Sequence, residues 1–390
     1  MLKSYKHTKI ACYIGFVVQA IVNNFLPLLF IIFNTSYNLN YEQLGRLLFI
    51  NFFVQFTVDA LTPVIVKNVG YRGAAVSCHL LAAVGLCLLG VLPYIFPGHI
   101  YTCLVVSIII YASASGIIEV CISPMVELIP GDKKAADMVF SHSFYCWGHA
   151  FTVIISTLLI FAFGYNKWQF IPVIWAIIPF VNMFYFMRVP IVERQDAPIS
   201  QTAKELFTNR DFWTFAIIMI CAGASEITMA EWASLFSQKA LGCSKTVGDL
   251  LGPCAFAICM GLGRIIFGVF DGKFNPKHAL IINNILCTVC YIAVAFCNIA
   301  ALSLIACALC GFSVCLSWPG TYSMAAKHFK SGYTLMFSIL ALCGDFGCSI
   351  GPWIMGIVAD SSSLQSGFLV SALFPAIMIF AALSLSKEKH

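Results

Sequence analysis

From Ile100 to Met125 the chain reads IYTCLVVSIIIYASASGIIEVCISPM, and Glu119 is the only residue in that run with a formal charge. A lipid span needs ~20 mainly apolar residues, so the stretch is long enough to cross a bilayer. Inside hydrocarbon every backbone N–H and C=O must be satisfied within the protein, which leaves helices or a closed barrel. The run lacks the period-2 alternation of a barrel strand, so it reads as a helix.

The same reading repeats along the chain. Three spans precede it, near Ile10–Phe33, Leu44–Val66 and Gly73–Phe96, and two follow, near Val139–Phe163 and Trp168–Met187. After a polar stretch six more run near Phe212–Phe236, Val247–Phe270, Ala279–Asn298, Ala301–Ala325, Tyr333–Val358 and Phe368–Leu385. Composition agrees: the 390 residues are 60% hydrophobic and 10% charged, with mean hydropathy +0.90. A soluble domain carries roughly 25% charged residues, so most of this surface faces something other than water. The expected fold class is an all-α membrane protein of twelve transmembrane helices in two pseudo-symmetric six-helix bundles.

Lys and Arg set the orientation. Lys3, Lys6 and Lys9 at the N-terminus, Lys387 and Lys389 at the C-terminus, and every second loop share one side. Those loops hold Lys67 and Arg72; Lys133 and Lys134; Arg188, Arg194, Lys204 and Arg210; Lys273 and Lys277; and Lys327 and Lys330. The other side has only Lys167, Lys239, Lys245 and Arg46. Both termini are therefore expected in the cytoplasm, in a multi-pass protein of the cell (inner or plasma) membrane. The first apolar run is span-length, with no small-residue cleavage site after it, so it reads as a helix and not a signal peptide. The net charge of +5 is accounted for by these loops and implies no nucleic-acid partner.

The longest hydrophilic stretch divides the chain six spans from six. The expected organisation is an N-terminal bundle at 1–187, a cytoplasmic linker at 188–211 and a C-terminal bundle at 212–390. The halves echo one another weakly: Ser123-Pro124 matches Trp318-Pro319, and Gly148-His149 matches Gly344-Asp345. Such internal symmetry is a feature of transporters whose halves rock about a central site.

Charged side chains inside spans are costly, at ~2.5–3.5 kcal/mol each by insertion scales, and they mark function by default. Here they are Asp59, Glu119, Glu226, Glu231, Arg264 and Asp345. Glu119, Glu226, Glu231 and Asp345 are candidates for handling a proton or a hydroxylated solute; the alternatives are an ion pair or capped polar group that holds helices together for Glu119, a contact with a neighbouring helix for one of Glu226 and Glu231, and a bond to backbone freed by the adjacent glycines for Asp345. Glu226 and Glu231 are five residues apart, which is 140° of angular separation on a helix, so they cannot point at one spot. Asp59 and Arg264 sit at related depths in spans two and eight. They read either as a gating charge pair or as two residues with separate partners. Gln19, Asn23 and Asn24 in span one and Asn51 and Gln55 in span two add carboxamides, and His142, Tyr145, Trp147 and Trp318 lie at mid-membrane depth. Carboxamides and carboxylates hold sugar hydroxyls and aromatic rings cover C–H faces, so Gln19, Asn23, Asn24, His142, Tyr145, Trp147 and Trp318 are the expected substrate-binding set. The bland alternative for the aromatics is packing.

Most of the eighteen cysteines lie within spans. Cys287-x-x-Cys290 and Cys307-x-x-Cys310 have metal-motif spacing but stand in apolar helices, so they read as small soft packing residues. His142 and His149, seven apart, offer two ligands at best. Neither a metal nor a cofactor is expected, and no arrangement of nucleophile and base argues for an enzyme.

The stretch Gly116-x-x-Glu119-x-x-x-Ser123-Pro124, followed by Ser141-His142-Ser143-Phe144-Tyr145-Cys146-Trp147-Gly148-His149, resembles the fucose–glucose–galactose:proton symporter family of the major facilitator superfamily. That family carries Gly-x-x-Glu-x-x-x-Asn-Pro in span four and Gln/His-x-Phe-x-x-x-Gly in span five. Asn23-Asn24-Phe25-Leu26-Pro27 is similar to its first helix. The resemblance implies a major facilitator fold and proton-coupled uptake of a monosaccharide or similar polyol by alternating access, with Glu119 in the span-four carboxylate role. The sequence departs from the pattern at Asn23, where some members have Asp, which leaves room for Glu226 or Glu231 to take the proton. It departs again after span two, where Gly70 and Arg72 remain but the acid of the superfamily signature does not. The partners implied are a small solute, a proton and the bilayer, for a monomer. The alternatives are an exporter of small amphiphilic compounds, which the absence of proline from span five disfavours, and uptake of a different small organic solute.

Overall fold

The structure is a computed structural model that describes residues 4–130, 134–192, 206–269, 275–297, 299–329 and 333–385. Most of the expected linker, 193–205, lies outside the described residues, as do the loop lysines Lys133, Lys273 and Lys330 and the C-terminal Lys387 and Lys389. Among the described residues, eleven helices are long and apolar enough to cross a membrane. One of them, Tyr41–Ile95, holds 55 residues and breaks at Gly70, which adopts φ 70° and ψ 169°. A side chain is strained at such a φ and glycine is not, so this residue turns one long helix into two spans. The twelve spans are α1 Tyr5–Ser36, α2 41–69, α3 71–95, α4 Pro97–Val126, α5 Phe140–Phe163, α6 Phe170–Arg188, α7 Arg210–Lys239, α8 Lys245–Phe267, α9 Pro276–Phe296, α10 Ala300–Ala325, α11 Ser338–Ser361 and α12 Leu364–Ser384.

Caps fix several of the starts. The Ser4 hydroxyl accepts from the Lys6 N–H at 3.3 Å, and Asn209 Oδ1 accepts from the Asp211 N–H at 2.9 Å. Asn275 Oδ1 takes the N–H groups of Lys277 and His278, with Pro276 at the first helical position. These side chains satisfy N–H groups that a helix start leaves without intrahelical acceptors.

The chain divides into two compact units, Met1–Leu39 with Ile50–Gln195, and Asn40–Phe49 with Asp196–His390. In the first, α1 is innermost, and every residue from Val18 to Phe30 is buried. A 3-10 turn at Leu26–Leu29 interrupts it at Pro27, whose missing N–H removes one helical hydrogen bond. The retained Arg72 has a structural task here: its Nη1 donates to the carbonyls of Phe186 and Met187 at 2.8 and 3.1 Å, closing the C-terminus of α6 with a cation where the helix dipole favours one.

In the second unit α7 is innermost, with every residue from Cys221 to Ser237 buried. Its main partner is α11, which meets it through Gly344, Gly347 and Gly351. A Cβ on Gly347 would strike the Ile220 carbonyl, and one on Gly351 would lie 2.8 Å from Ala224 Cα. Small residues at this spacing let two backbones approach closely. The first residues of α2 also pack in this unit: the Tyr41 N–H donates to Asp360 at 3.2 Å, and Gly45 lies against the Pro352 carbonyl.

Candidate functional site

In the first unit, α1, α2 and α4 meet through polar residues: Gln19 and Asn23, one helical turn apart on α1, Gln55 on α2, and Ser115 and Glu119, one turn apart on α4. Residues at i and i+4 share a face, so α1 and α4 each offer two rungs to one cluster. Gln19 Nε2 donates to Glu119 Oε2 at 2.7 Å, and Gln55 Nε2 donates to the same oxygen at 2.8 Å. Gln55 Oε1 in turn accepts from Asn23 Nδ2 at 3.1 Å and from the Ser115 hydroxyl at 2.8 Å. Ser115 also reaches Asn23 Oδ1 at 2.9 Å.

Gln19, Asn23, Gln55 and Ser115 are all buried, while Glu119 is half-buried. Hydrogen bonds in a low-dielectric setting reinforce one another when every member is satisfied. Gln55 is the hub that orients Glu119. Asn51, one turn along α2 from Gln55, is only 2% exposed, and neither of its amide atoms has a hydrogen-bond partner among the described residues. A buried amide in that state costs free energy unless something else pairs with it.

Asn24 donates to the Tyr145 hydroxyl at 3.3 Å and to the Ala20 carbonyl, which joins α5 to the cluster. Asp59 is buried on α2 and lies against α4, where a Cβ on Gly116 would stand 3.0 Å from its Oδ1. His142 meets the Ser123 hydroxyl at 3.2 Å and the Phe16 ring at 4.8 Å, with its own side chain exposed. Trp147 stands apart from the substrate-binding set in which the sequence placed it. It is 41% exposed and falls on a stripe with Phe140, Phe151, Ile154, Leu158 and Phe161, all exposed, which is the outward apolar face of α5.

In the second unit the two α7 carboxylates diverge as their spacing requires. Glu226 Oε1 lies 3.8 Å from Arg264 Nη2 of α8. Glu231 shares its helix face with Ile220, Ala224 and Thr228, the residues that meet α11. It is 2% exposed, and its Oε1 has no hydrogen-bond partner among the described residues. Asp345 on α11 is buried, and the Trp318 indole packs over its neighbour Gly344. Asp59 belongs to the first unit and Arg264 to the second, where it pairs with Glu226.

Two buried groups escaped the sequence reading. Lys245 Nζ pairs with Asp249 at 2.9 Å at the start of α8, and the Ser234 hydroxyl donates to the same carboxylate. His79 on α3, fully buried, meets Asn182 Nδ2 at 2.9 Å and the Ala75 carbonyl at 2.7 Å. The i,i+4 spacing of Lys245 and Asp249 was the available signal for the first; for His79 the signal was its place inside an apolar run.

Among the described residues, twelve spans in two compact units with a buried polar cluster in the first make a polytopic membrane protein. The family model described as Major Facilitator Superfamily matches residues 11–333 and 255–390, and the chain belongs to that superfamily. A Helicobacter pylori protein named for glucose/galactose transport is 22% identical over 375 residues, covering 91% of this chain and 90% of its own. Among solved structures, the E. coli fucose:proton symporter FucP superposes with TM-score 0.69 at 18% identity, covering 99% of this chain and 100% of that one. The D-xylose-proton symporter superposes at 0.80 with 14% identity, covering 99% of both chains. The nucleoside transporter NupG superposes at 0.81 with 14% identity, covering 97% of this chain and 100% of its own. The fold is therefore the one the sequence reading expected.

Proposed function

We propose that the protein takes up a monosaccharide or similar polyol together with a proton, by alternating access. It would do so as a monomer in the cell membrane with both termini in the cytoplasm, the bundles at 1–187 and 212–390 acting as the two moving halves about the linker at 188–211. The observation that carries this reading is the Gln19–Gln55–Glu119 network with the unpaired Asn51 beside it. Carboxamides offer a donor and an acceptor on one rigid plane, which suits a hydroxyl that also does both. The carboxylate at Glu119 adds a strong acceptor and a group that can carry a proton. The glucose/galactose name of the Helicobacter pylori relative and the sugar–proton symporters that share the fold support the same class of solute.

The test is the pH of the external medium when hexoses and deoxyhexoses are added to de-energised cells expressing the protein. Sugar-dependent alkalinisation is the expected result. No pH response and no uptake of any labelled hexose would reject the sugar reading. Within it, Asn51→Leu is expected to raise the KM for the transported sugar about 10-fold, the loss of one to two neutral hydrogen bonds at ~1 kcal/mol each. Thermal stability should stay unchanged or rise, because a buried unpaired amide is removed. A KM equal to wild type would take Asn51 out of the site.

A further inference from the structure

Asp59 sits one turn along α2 from Gln55, on the face that carries the hub of the buried network. Against it on α4 stands Gly116, where a Cβ would come within 2.9 Å of the Gln55 carbonyl and 3.0 Å of Asp59 Oδ1. A larger residue there would push α4 away from α2, so the glycine is what lets the Asp59 carboxylate lie along α4. Glu119 is three residues further on the same helix and shares that face. One carboxylate oxygen of Asp59 and one of Glu119 lie within 4.8 Å of each other. Asp59 is 7% exposed, and Glu119 is half-buried.

Two carboxylates this close in a low-dielectric setting repel, and the pair keeps one proton in preference to ionising twice. Their surroundings differ. Glu119 Oε2 receives the amide N–H groups of Gln19 at 2.7 Å and Gln55 at 2.8 Å, and donors on a carboxylate favour its ionised form. Asp59 is the more buried of the two, and burial favours the neutral form. We propose that Asp59 carries the transported proton while Glu119 stays ionised as the acceptor for a sugar hydroxyl, an assignment that rests on the proposed proton-coupled sugar uptake. An O–H bond forms on Asp59 when the proton enters from outside and breaks when the proton leaves to the cytoplasm. No electron is transferred. Removing either carboxylate ends the sharing, so Asp59→Asn and Glu119→Gln should both stop sugar-driven alkalinisation. Only Glu119→Gln also weakens the hold on sugar.

Asp59→Asn keeps the shape of the protonated acid. Net proton-driven uptake of labelled hexose should fall by about 100-fold, the low end of what a positioned proton-transfer group contributes. Counterflow, the exchange of labelled for unlabelled sugar with no net proton movement, should fall far less, because the acceptor at Glu119 remains. In Glu119→Gln both should fall together. An Asp59→Asn protein that alkalinises the medium like wild type overturns the assignment. So does one that melts like wild type yet loses counterflow as fully as Glu119→Gln does. Infrared spectra at neutral pH need no transport: Asp59→Asn should remove one protonated-carboxyl C=O band, and an unchanged band overturns the assignment. A wild type that neither alkalinises nor takes up sugar brings down the sugar–proton reading itself. A wild type that does both, beside an Asp59→Asn that matches it, brings down the Asp59 assignment alone.

Discussion

Glu119→Gln is expected to abolish sugar-driven alkalinisation and to cut the initial rate of hexose uptake by about 10- to 100-fold, with the protein still folded. Hydrogen bonds to a charged group contribute ~1.5–3 kcal/mol, which sets that range at ~1.4 kcal/mol per factor of ten. The fold should survive because Gln has the same shape and its carbonyl oxygen can turn toward Gln19 and Gln55, the two donors that now meet Glu119 Oε2. Glu119→Ala removes that acceptor, strands both amides, and should lower the melting temperature where Gln does not. The readouts are external pH, labelled-sugar uptake and a melting curve on the same three proteins. Proton-coupled uptake at the wild-type rate in Glu119→Gln would move the coupling elsewhere, and Glu231 would be the next residue to replace.

The second large effect concerns stability. Gly347→Val is expected to destabilise the protein by about 3 kcal/mol, at the upper end for overpacking, because the added carbons meet backbone at Ile220 and Ala224 and not a side chain that can rotate away. For a unit of this size that is a fall in melting temperature on the order of 5–10 °C. Cys221 and Cys348, both buried, would report the opening to a thiol-reactive dye. Gly98→Ala is the matched control, since a Cβ there meets nothing within 4 Å, and it should melt with wild type. A Gly347→Val protein that also melts with wild type would mean that α7 and α11 are not held this closely.

Long apolar runs made the spans legible, because the demand that lipid places on the backbone is independent of tertiary detail. The candidate site was half legible. Gln19, Asn23 and Glu119 stood out as polar residues in apolar helices, and the structure joins them; that Gln55 is the hub was not visible, because a hub is defined by partners on three helices. Trp147 shows a signal passed over. The stripe from Phe140 through Trp147 to Phe161 has helical period and marks an outward face, yet residue type outweighed periodicity in the reading. Cys287 and Cys310 mark the opposite limit: both are plain in the chain, but nothing local states that α9 and α10 bring their sulfurs to 3.7 Å.

The near-complete burial of α7 has a consequence for how the protein is made. Two carboxylates within one span cost about 5–7 kcal/mol on insertion scales, and Ser225, Thr228, Ser234 and Ser237 add further polar groups on the same helix. Leaving the translocon alone, α7 would be a poor lipid-facing segment. The glycine face that covers it arrives late, since Gly347 follows Ala224 by 123 residues. Until α11 is made, the Ile220, Ala224 and Thr228 face of α7 lacks the glycine face that covers it. A ribosome stalled between the two would leave the helix open to extraction and proteolysis.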